Sequence, residues 1–96
     1  MVGGATVVGR RDRTRVVQHE WTVRTAERLS EYDARDRCAR CPAVCWSTAE
    51  DYPAEDGHVL HVILAGRPGP ALRALCAELQ AWFAGAGGVV AGRSRR

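Results

Sequence analysis

Three cysteines fall within eight residues of this chain, at Cys38, Cys41 and Cys45. This C-x2-C-x3-C spacing is the pattern in which residue type and position most plainly suggest chemistry. Clustered thiolates suit a zinc ion or an iron–sulfur cluster, because such centres need several soft ligands within a few ångströms. A C-x2-C pair grips one ion from a single tight turn, and Arg40 between its two cysteines favours the thiolate forms. Cys45 would be a third ligand. A fourth would come from His58 or His61, with His19 and Cys76 as further candidates. His58 and His61 are three apart on an expected strand, where they would point to opposite faces, so at most one of them would join the site. Cys76 lies on an apolar helical stripe and reads as a core residue.

The expected site residues are therefore Cys38, Cys41, Cys45, His58 and His61, with Zn2+ the favoured ion and an iron–sulfur cluster behind it. Three readings follow. In the first, the chain is a small binding or regulatory module, not an enzyme, with a structural zinc that pins a helix end to a hairpin. In the second, Cys38 and Cys41 form a redox-active dithiol. In the third, the cysteines do nothing special and the chain is a protein-interaction domain, with a homodimer as one form. The segment Cys38–Cys45 resembles part of the iron–sulfur-binding segment of WhiB-like regulators in its C-x2-C pair. That family carries a further upstream cysteine and a Gly/Trp turn, which this chain lacks, and its downstream cysteine spacing differs.

Other motifs are weaker. Gly66-Arg67-Pro68-Gly69, between an expected strand and a helix, would present backbone N–H groups to an anion, though it matches neither dinucleotide nor P-loop glycine patterns and two prolines remove donors. His19 and Trp21 alternate on one strand face, flanked by Arg15 and Arg24, and could stack bases. Aromatic residues are few, so nucleic acid is not the expected partner. The loop Glu50–Gly57 is acidic but lacks EF-hand spacing. No serine stands in a nucleophile motif.

The elements that must position these residues follow from periodicity. Thr14–Val23 alternates with a period of two and reads as a strand. Thr25–Arg37 reads as a helix capped by Thr25. Ala43–Thr48 reads as a short strand, Ala49–Gly57 as a loop, and His58–Ala65 as a buried strand. Pro70 opens a helix over Ala71–Ala84, where Leu72, Leu75, Cys76, Leu79, Trp82 and Phe83 form one stripe. Val89–Ala91 reads as a final strand. The order predicts a ferredoxin-like βαββαβ sandwich, an α+β fold with four strands in one sheet and two helices on one face. Residues 1–13 read as a loosely ordered segment in which Ala5–Val8 would add an edge strand, 14–92 as one domain and 93–96 as a basic tail.

Composition sets outer bounds. Ninety-six residues, 46% hydrophobic and 26% charged, suit one globular domain. All 14 basic residues are Arg, and the net charge is +3, too small to imply nucleic acid. Residues 1–40 carry nine Arg against six acids, 41–65 carry four acids and no Arg, and 66–96 carry five Arg against Glu78 alone. No apolar run approaches a membrane span and no secretory leader is apparent, so a cytoplasmic location with reduced thiols is the expectation.

Overall fold

The computed structural model describes residues 15–95, which form β1 (Val17–Thr25), α1 (Glu31–Ala39), β2 (Val44–Ala54), β3 (Gly57–Gly66), α2 (Pro70–Gly85) and β4 (Val89–Arg95). The strands make one sheet in the order β2-β3-β1-β4, and each neighbouring pair is antiparallel. This is the ferredoxin-like α+β sandwich. Both βαβ halves are split, with β3 between β1 and β2, and β1 between β3 and β4. Ala5–Val8 and the whole 1–13 segment lie outside the described residues.

Alternation makes one sheet face the core. Val17, Trp21 and Val23 of β1 and Leu60, Val62 and Leu64 of β3 are buried. Against them α2 sets Leu72, Leu75, Leu79 and Phe83, and α1 adds only Ala34 and Cys38. Phe83 meets Trp21 edge-on at 6.2 Å between centroids, a favoured aromatic geometry. The two helices are tied by Arg37, which lies 4.6 Å from the Trp82 ring centroid and 2.9 Å from Glu78.

Element types match the sequence reading while several ends differ. Thr25 does not cap a helix: β1 continues through it, and its hydroxyl donates to the Glu27 carbonyl. Ser30 is the cap instead, accepting from the Asp33 amide at 3.3 Å. The expected loop Ala49–Gly57 is mostly strand. β2 runs to Ala54, and only Glu55-Asp56 turn before β3. Pro53 is tolerated because β2 is an edge strand, where a missing N–H leaves no ladder bond unmade. β4 extends to Arg95, so Arg93–Arg95 of the expected basic tail are strand, paired with Gln18–Glu20.

Gly57 starts β3 at φ +150°, and a side chain there would drive into the Thr25 carbonyl oxygen. A Cβ at Gly66 would stand 2.7 Å from the Ala43 carbonyl oxygen. These two glycines let the ends of the central hairpin strand pass close to neighbouring backbone.

Candidate functional site

The thiols come to different places. Cys38, in the last turn of α1, is 1% exposed and part of the core. Cys41 follows α1 by a tight turn in which its amide donates to the Cys38 carbonyl at 3.1 Å. Its thiol donates to the Ala71 carbonyl at 3.7 Å, across to the first turn of α2. Cys45 sits where the β2–β3 register shifts between Val44 and Trp46, and is exposed. Cys76 of α2 packs partly buried against the same core. Burial pushes the Cys38 thiol up, partly offset by a hydrogen bond with Ser47 and reinforced by the nearby Cys41 thiol and Glu78. Burial also pushes Cys76 up, with Cys38 and Cys41 adding to the effect. Cys76 turns toward the groove between α2 and β1, whereas Cys41 borders Ala71, Ala74 and Leu75 of α2.

The histidines stand elsewhere. Thr25 and Pro53 flank His58 in the sheet, at the hairpin end of β3. Eight residues of strand, about 26 Å, separate it from Gly66, beside which Ala43 and the cysteine turn lie: the Arg67 amide donates to the Ala43 carbonyl at 2.8 Å. His58 instead faces Asp51, with Nδ1 3.7 Å from Oδ1. That carboxylate is almost fully buried and is gripped by Arg28, while Oδ1 itself lacks a hydrogen bond. His61 lies on the opposite sheet face, 2.8 Å from Glu20. The expected set of Cys38, Cys41, Cys45, His58 and His61 is therefore not brought together. Among the described residues, no group of three or more His, Cys, Asp or Glu is arranged to hold a metal ion. The physical reason is strand length and parity: β3 is too long for its far end to reach the cysteine turn, and His61 faces away from it.

Cys38 lies in the last turn of α1, where the helix dipole opposes a thiolate. Low-pKa redox cysteines sit at helix N-termini.

The largest structural feature without a role in the core is the second face of the sheet. Both helices pack on the face of Trp21, Leu60 and Leu64, so no described element covers the other. On it β2 presents Trp46, Thr48, Glu50 and Tyr52, in register with Ala65, Ile63, His61 and Val59 of β3. Trp46 is 47% and Tyr52 43% exposed, and Val89 of β4 is 71% exposed. Tyr52 donates its hydroxyl to Glu50, and this carboxylate pushes the phenol pKa up. Glu50 lies on the β2 edge, Arg24 of β1 and Arg93 of β4 lie toward the other edge, and Glu20 of β1 stands in register with Arg93. Among the described residues no ion pair joins either arginine to a carboxylate.

Comparisons of the chain with protein-family models, with curated proteins and with solved structures returned no match. Among the described residues no helix is long and apolar enough to cross a membrane.

Proposed function

We propose that this domain is a non-enzymatic protein-binding module that pairs with a second copy of itself through the open face of its sheet. One observation carries the reading: among the described residues nothing covers a four-stranded face bearing Trp46, Tyr52, Val59, Ile63 and Val89, while both helices pack on the other side. Apolar side chains collected on one exposed face mark an interaction surface.

Charge complementarity points to a second copy as the occupant. A two-fold axis parallel to the strands, lying between two such faces, sets β2 of one protomer over β4 of the other. Tyr52 then meets Val89, and Glu50 meets Ala91, two residues along β4 from Arg93. An isologous contact of this kind satisfies both edges at once. Four strands spaced about 4.8 Å apart, each contributing roughly seven residues, span a projected face of about 400 Å² per protomer. Side-chain relief increases the accessible area actually buried. The pairing falls at the lower end of specific interfaces, with dissociation expected in the micromolar range.

Sedimentation equilibrium from about 1 to 500 μM tests the proposal. A reversible monomer–dimer transition is expected for the wild type. Ile63→Asp should abolish it while circular dichroism stays native. Glu50→Arg and Arg93→Glu should each weaken pairing, and the double substitution should restore it, because the charges are exchanged across the two-fold. A wild-type chain that stays monomeric throughout, or a double variant no better than the singles, overturns the reading.

A further inference from the structure

On the helix side of the sheet, away from the open face, a groove of about 690 Å³ runs between α2 and the paired ends of β1 and β4. Small side chains create it. On this face β4 offers Gly92 and Ser94 opposite Trp21 and His19, and α2 turns Ala77 toward the gap. The floor is apolar, made by Val17, Leu72 and Cys76. Polar groups stand around its edge: Arg15, Arg73, Gln80, and the His19–Ser94 pair joined at 2.8 Å. Burial pushes the His19 imidazole down, which favours its neutral form. Among the described residues, the formal charge of the lining comes from two guanidiniums and no carboxylate lines the groove. Among the described residues neither Arg15 nor Arg73 is in an ion pair. By contrast Arg28, Arg35, Arg37 and Arg40 all pair with acids.

We propose that this groove binds a small amphipathic anion: an apolar body on the floor of Val17, Leu72 and Cys76, with a carboxylate or another oxyanion head between Arg15 and Arg73. The volume fits a ligand of ordinary small-molecule size, and an apolar cleft with a few convergent polar groups is the usual form of such a site. Guanidinium forks recognise oxyanions through paired N–H donors. The apolar floor and the two lining arginines favour an amphipathic anion over two simpler ligands. A free inorganic anion would leave the floor wet, and a neutral hydrocarbon would make no use of either guanidinium. The site shares no residue with the open face used for pairing, so each can fail without the other.

Decanoate titrated into isotopically labelled protein, followed by amide NMR shifts, tests this directly, with 1-decanol as the neutral comparator. Saturable shifts at Val17, Leu72, Cys76 and Gln80 are expected with decanoate, weakening as salt is raised. The Arg15→Ala/Arg73→Ala double variant should bind decanoate about tenfold more weakly or worse, since two charge-assisted contacts are lost, while its response to 1-decanol stays as in the wild type. Ala77→Trp, at an exposed position of α2, should fill the groove and block decanoate without unfolding the chain. No saturable shift in the groove, equal affinity in the double arginine variant, or binding unaffected by Ala77→Trp would each overturn the proposal.

Discussion

Alkaline destabilisation is the sharpest consequence of how the thiols are placed. Burial raises the Cys38 and Cys76 thiols above the ordinary value of 9.0. The unfolded chain therefore releases these protons at lower pH than the folded one. Above that value the unfolded state binds fewer protons, so stability is fully present below about pH 9 and falls as pH rises toward the folded-state values. For a thiol that stays protonated in the fold, the loss reaches about 1.4 kcal/mol by pH 10. That is an upper bound for Cys38, which is 1% exposed. The chain suits the measurement because it has no Lys: between pH 8.5 and 10 thiols dominate its ionisation. Urea unfolding at pH 7, 9 and 10, in reductant, gives the slope. Cys38→Ala should cost about 1 kcal/mol at pH 7, as loss of one well-packed heavy atom does. It should also remove much of the fall between pH 9 and 10, and Cys76→Ala should remove a further part. A Cys38→Ala variant with the full wild-type slope would refute the placement of Cys38 in the core.

Further predictions concern the frame around these sites. Gly57→Ala should lower stability by at least about 2 kcal/mol, read as a lower melting temperature, because positive φ and the Thr25 carbonyl both oppose a Cβ. Phe83→Ala, at a fully buried position against Trp21, should cost about 3–5 kcal/mol in urea unfolding. Ser30→Ala should cost about 1 kcal/mol through loss of the α1 cap, and Ser30→Asp should restore it. Cys45→Ala, at an exposed bulge position, should change stability by less than about 0.5 kcal/mol.

Sequence patterning determined the kind and order of the elements, because each rests on local physics. The apolar stripe from Leu72 to Phe83 can be satisfied only by a helix lying on a core. The run of Val59–Leu64 suits a central strand, and β3 does lie between β2 and β1. With four strands and two crossovers, right-handed connections leave few arrangements, and the ferredoxin-like order follows. Element ends were less readable. Pro53 and the acidic run Glu50–Asp56 carry the composition of a loop, yet an edge strand tolerates both, and only the sheet order makes β2 an edge. Thr25 and Ser30 are equally good caps in isolation. Pairing of Thr25 with His58 in the sheet is what moves the start of α1 to Ser30.

The site was the part that spacing alone could not give. C-x2-C-x3-C fixes three sulfurs in sequence, and Cys38 and Cys41 do share one turn, but the length of β3 keeps His58 far from them and strand parity turns His61 to the other face. Other juxtapositions existed only after folding. Arg15, just before the first strand, and His19 within it line one groove with Arg73 and Cys76 of the second helix, although more than fifty residues separate them. Trp46, Tyr52, Ile63 and Val89 share one face because antiparallel register aligns strands from three parts of the chain. Side-chain periodicity acts over a few residues and is written in the sequence, whereas which faces meet, and which stay open, depends on strand order and register set by packing of the whole chain.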